Sequence, residues 1–215
     1  MDFKNKKILC VISHPDDETI GCGGFIHSLV RKGSVVSILL VLKSNGNRSK
    51  ENWNKYLTSF KKACSILGAI PLIHDELICE DIAEQNFWKL NTIIEKYTKQ
   101  YDVILTHCPF DLHQSHKLNS KSVEISTRPI RDHKTVMFFE VSSSTDQGYF
   151  KNFHPNFFVE LSEIDVKNKL KAMKCYKNEF DFGRTPEDLL LNLKVRGKQI
   201  GVKYAEFFRI ARIYS

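Results

Sequence analysis

A chain of 215 residues, 42% hydrophobic and 27% charged, carries enough apolar material for one substantial core, and two full-sized domains would be a tight fit. Ten glycines and six prolines exclude collagen-like and low-complexity character. The net charge of +7 raises the question of an acidic partner. Its distribution argues otherwise, because Lys167, Lys169, Lys171, Lys174 and Lys177 surround Val166, Leu170 and Met173 and read as the solvated side of an amphipathic helix. No nucleic-acid-binding motif accompanies them, so nucleic acid is not expected as a partner.

In chain order, Lys7 to Ile12 is a short β-branched run suited to a fully buried strand. The basic residues Lys4, Lys6 and Lys7 precede too few apolar residues for a signal peptide, so this segment is expected to belong to the fold. Ile26 to Lys32 has helical character and stops at Gly33. Val35 to Leu42 repeats the buried-strand composition and is too short to span a bilayer. After a polar loop, Trp53, Tyr56, Phe60, Ala63, Cys64 and Leu67 recur at helical spacing before Gly68. Phe87 to Tyr97 is another amphipathic helix and leads into a buried strand at Asp102 to Thr106. Further on, Val136 to Val141, Phe157 to Leu161 and Phe207 to Tyr214 read as strands, and Ile164 to Tyr176 and Pro186 to Lys194 as helices. Alternating units of this kind predict an α/β fold, Rossmann-like, with a mostly parallel sheet covered by helices on both faces. No linker or repeat divides the chain, so residues 1–215 are expected to form a single domain. The six cysteines contain no CxxC pair, and several lie in apolar segments such as ILCVI; reduced, mostly buried thiols in a cytoplasmic protein are expected.

Ligands of open parallel sheets bind beyond the carboxyl ends of the strands. The loop after Ile12 carries His14, Pro15, Asp16, Asp17 and Glu18; the loop after Thr106 carries His107, Asp111, His113 and His116. Three adjacent carboxylates repel one another, and a divalent cation relieves that repulsion. Imidazole nitrogen with carboxylate oxygen suits zinc, and a catalytic zinc keeps three protein ligands and one open position. His14, Asp17 and His116 fit that count. Asp16, next to a ligand, is then placed to accept a proton from water, and His113 to donate a hydrogen bond or proton to a tetrahedral intermediate. The set suits metal-assisted hydrolysis of an acyl bond. For His14 with Asp17 the duller alternative is a helix N-cap. His27, His74, His133 and His154 read as structural histidines, with His107 intermediate. Gly21, Gly23 and Gly24 lack the last glycine of a dinucleotide fingerprint and more simply permit close packing against the sheet.

HPDDE at 14 to 18 directly after the first strand, PFDLHQSH at 109 to 116, GCGG, ACSILGA and YAEFFRIAR at 204 to 212 together resemble the PIG-L (LmbE-like) family of zinc-dependent N-deacetylases, over essentially the whole chain. The resemblance implies a Rossmann-like domain that removes acetyl groups from N-acetylglucosamine-type sugars. Matched by position, it implies His14, Asp17 and His116 as zinc ligands, Asp16 as general base and His113 as the acid or oxyanion-stabilising imidazole. The family commonly has Asp where this chain has Ser115, which puts the role of His113 in question and makes Asp111 a candidate to support it. An upstream Arg and Glu of many relatives correspond here to Tyr56 and Ser59; Arg48 is the candidate replacement as an anchor for a phosphate or carboxylate. Glu140 is a candidate hydroxyl contact, with a structural role as its alternative. The expected partner is a small N-acetylated sugar, and a homo-oligomer is compatible with the sequence. Iron(II) or cobalt(II) can occupy similar ligands. A non-catalytic sugar-binding relative that keeps the zinc pocket is the rival expectation.

Overall fold

The structure is a computed structural model and describes residues 3–44, 53–131, 133–149, 151–180 and 183–214. Strand β1 (Lys7–Ile12) is followed by helix α1 (Asp17–Arg31), β2 (Val35–Lys43), α2 (Trp53–Leu67), β3 (Ile70–Cys79), a short 3-10 turn (Glu80–Ile82), α3 (Phe87–Thr98), β4 (Val103–His107) and α4 (Gln114–Ser126). Then come β5 (Thr135–Phe139), β6 (Phe157–Glu160), α5 (Glu163–Met173), a second 3-10 turn (Lys174–Glu179), α6 (Pro186–Gln199) and β7 (Ala205–Arg212). The strands form one sheet in the order β3-β2-β1-β4-β5-β7-β6. The first five are parallel, and β7 runs antiparallel to both β5 and β6.

Strand β1 lies inside the sheet, third in that order, with Ile8 opposite Val36 on one side and Val103 on the other. Its alternation feeds two cores. Ile8, Cys10 and Ile12 join Phe25, Phe60, Ala63 and Met173 from α1, α2 and α5. Leu9 and Val11 join Leu90, Ile93, Ile94 and Val123 from α3 and α4. With both faces covered the strand must be apolar throughout, as observed.

Helix α1 begins at Asp17, nine residues before the expected start, and bends at Cys22, whose φ of −144° is not helical. The early start escapes an apolar-periodicity search because its first turns hold acids and glycines. Those glycines are a packing device: a Cβ at Gly21 would meet the Phe139 ring at 2.3 Å, and one at Gly24 would meet Leu161 at 2.4 Å. At the bend, Gly24 and Phe25 donate their N–H groups to the buried Glu206 carboxylate at 2.9 and 2.7 Å. Lys169 bridges the break, donating to Glu206 at 2.6 Å and to the Ile20 carbonyl at 2.7 Å. Lys169 therefore departs from the solvated-face expectation. It is 2% exposed, whereas Lys167, Lys171, Lys174 and Lys177 are exposed.

Two elements were not expected from periodicity. Strand β3 is an edge strand whose Pro71, His74, Asp75 and Glu76 obscure its pattern. Helix α4 buries Ser115, Asn119, Ser120, Ser122 and Ser126 in place of an apolar stripe. All six cysteines are free thiols, and Cys10, Cys22, Cys64 and Cys108 are buried. Among the described residues no helix is long and apolar enough to cross a membrane.

Candidate active site

β1 and β4 are neighbours from which the chain departs in opposite directions, so a crevice opens beyond their carboxyl ends. The loop after β1 is tightly wound. Asp16 takes φ 118°, a left-handed value that costs a non-glycine residue, and its carbonyl accepts from Thr19 N–H and Ile20 N–H at 2.9 Å. This turns Asp17 inward at the first turn of α1, where its Oδ2 accepts the His14 N–H at 2.8 Å. The helix N-terminus further favours the charge.

Around Asp17 the donor atoms converge. His14 Nδ1 lies 3.4 Å from Asp17 Oδ2, His116 Nε2 lies 3.4 Å from Asp17 Oδ1, and the two imidazole nitrogens are 3.4 Å apart. Ligand bonds of zinc to N and O at tetrahedral angles demand about 3.4 Å between ligands. The outer nitrogens are each held by a carboxylate: His14 Nε2 by Glu80 Oε2 at 2.9 Å, and His116 Nδ1 by Asp111 Oδ1 at 3.1 Å. With the outer nitrogens donating, neutral imidazoles aim their lone pairs at the Asp17 carboxylate. Three electron-rich groups then face one another, an arrangement suited to a divalent cation and unfavourable without one.

Donors of Asp17, His107 and His116, and of His14, His113 and His116, also lie within 4.8 Å of one another. The His107 and His116 rings are stacked, 3.9 Å apart and 9° from parallel. One ion cannot lie in both ring planes, so His107 backs the site more naturally than it joins His116 on a metal. It is fully buried, accepts the Ser13 N–H at Nε2 (3.1 Å), and leaves Nδ1 without a hydrogen-bond partner. Burial together with the His116 charge pushes its pKa well down, and it is neutral.

Without a metal, the same groups share protons. Burial works against charge on His14, yet its bonds to Asp17 and Glu80 raise its pKa to about 10. Asp17 is likewise opposed by burial, and the charge and hydrogen bond of the His116 imidazole hold it well below the usual carboxylate range. Asp16 moves the other way: burial and then the Asp17 charge push it up, with Arg184, 3.7 Å away, pulling back. A neighbouring pair of carboxyls thus has its affinities for protons driven apart. His113 caps α4, its Nδ1 accepting from Ser115 N–H at 3.3 Å. Burial and the His14 and His116 charges lower its pKa to about 4, so at neutral pH Nε2 carries the ring proton.

The structure brings His14, Asp16, Asp17, His113 and His116 together around one cleft of about 130 Å³, whose wall also includes Trp53, Tyr56, Glu80 and Arg184. Glu140 lies outside this cleft, its Oε1 accepting from Arg196 Nε at 2.8 Å and Oε2 paired with Nη2. Arg48 lies outside the described residues. Asp111, expected to support the His113 ring, instead binds the His116 imidazole and accepts the His113 backbone N–H at 2.8 Å; Ser144 and Thr145 hydroxyls hold its other oxygen at 3.0 and 2.7 Å. Glu80 and Arg184 were not found from sequence. Glu80 sits just past the carboxyl end of β3, where the strand-end rule would have pointed had that strand been recognised. Arg184 precedes the Thr185 cap of α6, a context with no catalytic signal.

Comparison with known proteins is consistent across sequence and fold. The PIG-L family, described as GlcNAc-PI de-N-acetylase, matches residues 9–125. The chain is 27% identical over 227 residues to a diacetylchitobiose deacetylase of Thermococcus kodakarensis, covering 95% of this chain and 82% of that one. Among solved structures, the conserved protein TT1542 from Thermus thermophilus superposes with a TM-score of 0.75 at 20% identity, covering 98% of this chain and 97% of that one. GalB, the 4-carboxy-2-hydroxymuconate hydratase from Pseudomonas putida, superposes with a TM-score of 0.73 at 16% identity, covering 98% of each chain. A hydratase on this fold shows that architecture alone does not choose the reaction.

Proposed function

The chain belongs to the PIG-L family, and from that premise we propose that it is a zinc-dependent hydrolase removing the acetyl group from an N-acetylated amino sugar, free or as a lipid-linked or nucleotide-linked glycoside. One observation carries this most directly: His14 Nδ1, His116 Nε2 and the Asp17 carboxylate meet at mutual distances of 3.4 Å while Glu80 and Asp111 hold the outer imidazole nitrogens. The family membership and the deacetylase of Thermococcus kodakarensis support the same substrate chemistry.

In this proposal His14, Asp17 and His116 hold the zinc, which when bound lowers the pKa of water and polarises the acetamide carbonyl. Asp16 accepts a proton from the attacking water, its raised pKa suiting a base that must later return that proton. His113, neutral and protonated at Nε2, donates a hydrogen bond to the carbonyl oxygen as negative charge develops there. Arg184, 3.7 Å from Asp16, opposes the rise in its pKa and so favours the ionised form of the base. The C–N bond breaks as the amine nitrogen takes the proton held by Asp16, giving acetate and the free amino sugar. We place this chemistry in a single domain spanning residues 1–215; the unpaired cysteines support a reducing, cytoplasmic setting.

The test is release of primary amine and acetate by purified, zinc-loaded protein incubated with N-acetylglucosamine, its nucleotide-linked form and its lipid-linked form. Stoichiometric zinc with no release from any of these would leave only a sugar-binding relative that keeps the metal pocket.

A further inference from the structure

We infer that Trp53 and Tyr56 form a stacking wall for the pyranose ring whose acetamide enters the cleft over His14, Asp17 and His116. This deepens the proposed deacetylase function and rests on it. The two side chains are one turn apart at the start of α2, their ring planes 25° from parallel and their centroids 6.5 Å apart. Both line the cleft that holds His14, Asp16, Asp17, His113, His116 and Arg184.

The chemistry of the lining selects the ligand class. Apart from Pro15, the rest of the described wall is carboxylate, imidazole, hydroxyl or guanidinium, so the two rings are its extended apolar surface. A linear acetamide needs no such surface. A pyranose does, because its equatorial hydroxyls point to the rim and leave a face of axial C–H bonds, slightly positive, that matches the negative face of an aromatic ring. Core packing accounts for only part of them: Trp53 rests against the edge of the main core, with Lys43 Nζ 5.9 Å from its ring centroid. The fully buried side of α2 is built from Phe60, Ala63, Cys64 and Leu67, while Trp53 and Tyr56 are half-exposed. Arg184, also in the wall and tied to Ser143 Oγ at 3.0 Å, supplies a fixed cation for hydroxyls at the ring edge.

The two tryptophans make the test direct, since Trp88 is 81% exposed on α3 and distant in role from the cleft. In Trp88→Phe protein, Trp53 is the sole indole. Titration with N-acetylglucosamine should change its emission saturably, whereas N-acetylethanolamine, which has the acetamide and a hydroxyl but no ring, should not at equal concentration. Adding Tyr56→Leu should weaken the response at least fivefold. In turnover, Trp53→Leu should raise KM by about tenfold with kcat within threefold and zinc content unchanged, and Trp53→Phe should restore most of the loss. Amine release from the sugar with a silent Trp53 would overturn the stacking wall and leave the deacetylase standing. A saturable Trp53 response without amine release would keep the wall and sink the deacetylase. Silence in both assays overturns both.

Discussion

His14 Nε2 and Glu80 Oε2 stand 2.9 Å apart, joining the loop after β1 to the 3-10 turn that follows β3, 66 residues away in sequence. Glu80 is itself fixed by the Ser44 hydroxyl at 2.6 Å on its other oxygen, and Ser115 Oγ approaches at 3.4 Å. A carboxylate on the outer nitrogen of a metal-binding imidazole sets its tautomer and raises its basicity. Glu80→Gln should therefore lower zinc affinity by about 10- to 100-fold, measured by chelator competition. An unaltered zinc Kd would remove Glu80 from the site.

Adjacent aspartates should behave differently. Asp17→Ala removes the carboxylate whose two oxygens face His14 and His116 and is expected to abolish stoichiometric zinc. Asp16→Asn should keep the zinc and lose about 10²- to 10⁴-fold in kcat, the range for a positioned base. His113→Ala should also keep the zinc and lose about 10²- to 10³-fold, as for one oxyanion donor. Elemental analysis beside steady-state kinetics separates these outcomes. Equal zinc in wild type and Asp17→Ala would overturn the ligand assignment.

The parts of this site that could be read from sequence are those carried on fully buried strands. The runs read at Lys7 to Ile12 and Asp102 to Thr106 are largely apolar because the strands are covered on both faces, and the acids and histidines at and beyond their ends fall at the sheet's carboxyl edge. Gly21 and Gly24 were similarly legible as points of close approach, and the Phe139 and Leu161 side chains fill that space. What escaped has physical causes. Edge strand β3 mixes proline and charge with its apolar residues, and its loss as a strand hid Glu80. Helix α4 packs through serines and asparagine, with Asn119 Nδ2 donating to Ser13 Oγ at 2.9 Å, so its buried side has no hydrophobic period. Arg184 reaches Asp16 only through the three-dimensional return of the chain.

Lys169 shows how a regular charge pattern can conceal a buried group. Its ammonium is the partner of Glu206 at 2.6 Å inside the bend of α1, both side chains 3% exposed. Removing the cation strands a carboxylate that is already out of water. Lys169→Met is expected to destabilise the fold by about 3–5 kcal/mol, the cost of breaking a buried pair from one side. Lys171→Met, at an exposed position on the same helix, should stay within about 0.5 kcal/mol of wild type. Urea denaturation of both variants makes the comparison; equal midpoints would show that the Lys169 pair contributes nothing.

Asp165 offers a pH test away from the metal site. Burial opposes its charge, but hydrogen bonds from Ser162, His27 and Arg31 hold its pKa below the ordinary carboxylate value. It also closes a capping box with Ser162 at the start of α5 and ties that helix to α1. A carboxyl whose pKa is lowered by folding contributes stability above its unfolded value, about 3.9, and loses it as the pH falls through the folded value. Asp165→Asn keeps an oxygen for the cap but not the charge, and should cost about 1–2 kcal/mol near neutral pH. The gap between wild type and variant should be constant above about pH 5 and close below about pH 4, as the wild-type carboxyl takes up its proton. Denaturation midpoints measured from pH 7 to pH 3 follow this directly. A gap that widened on acidification would mean that the Asp165 pKa is raised in the folded protein, reversing the sign.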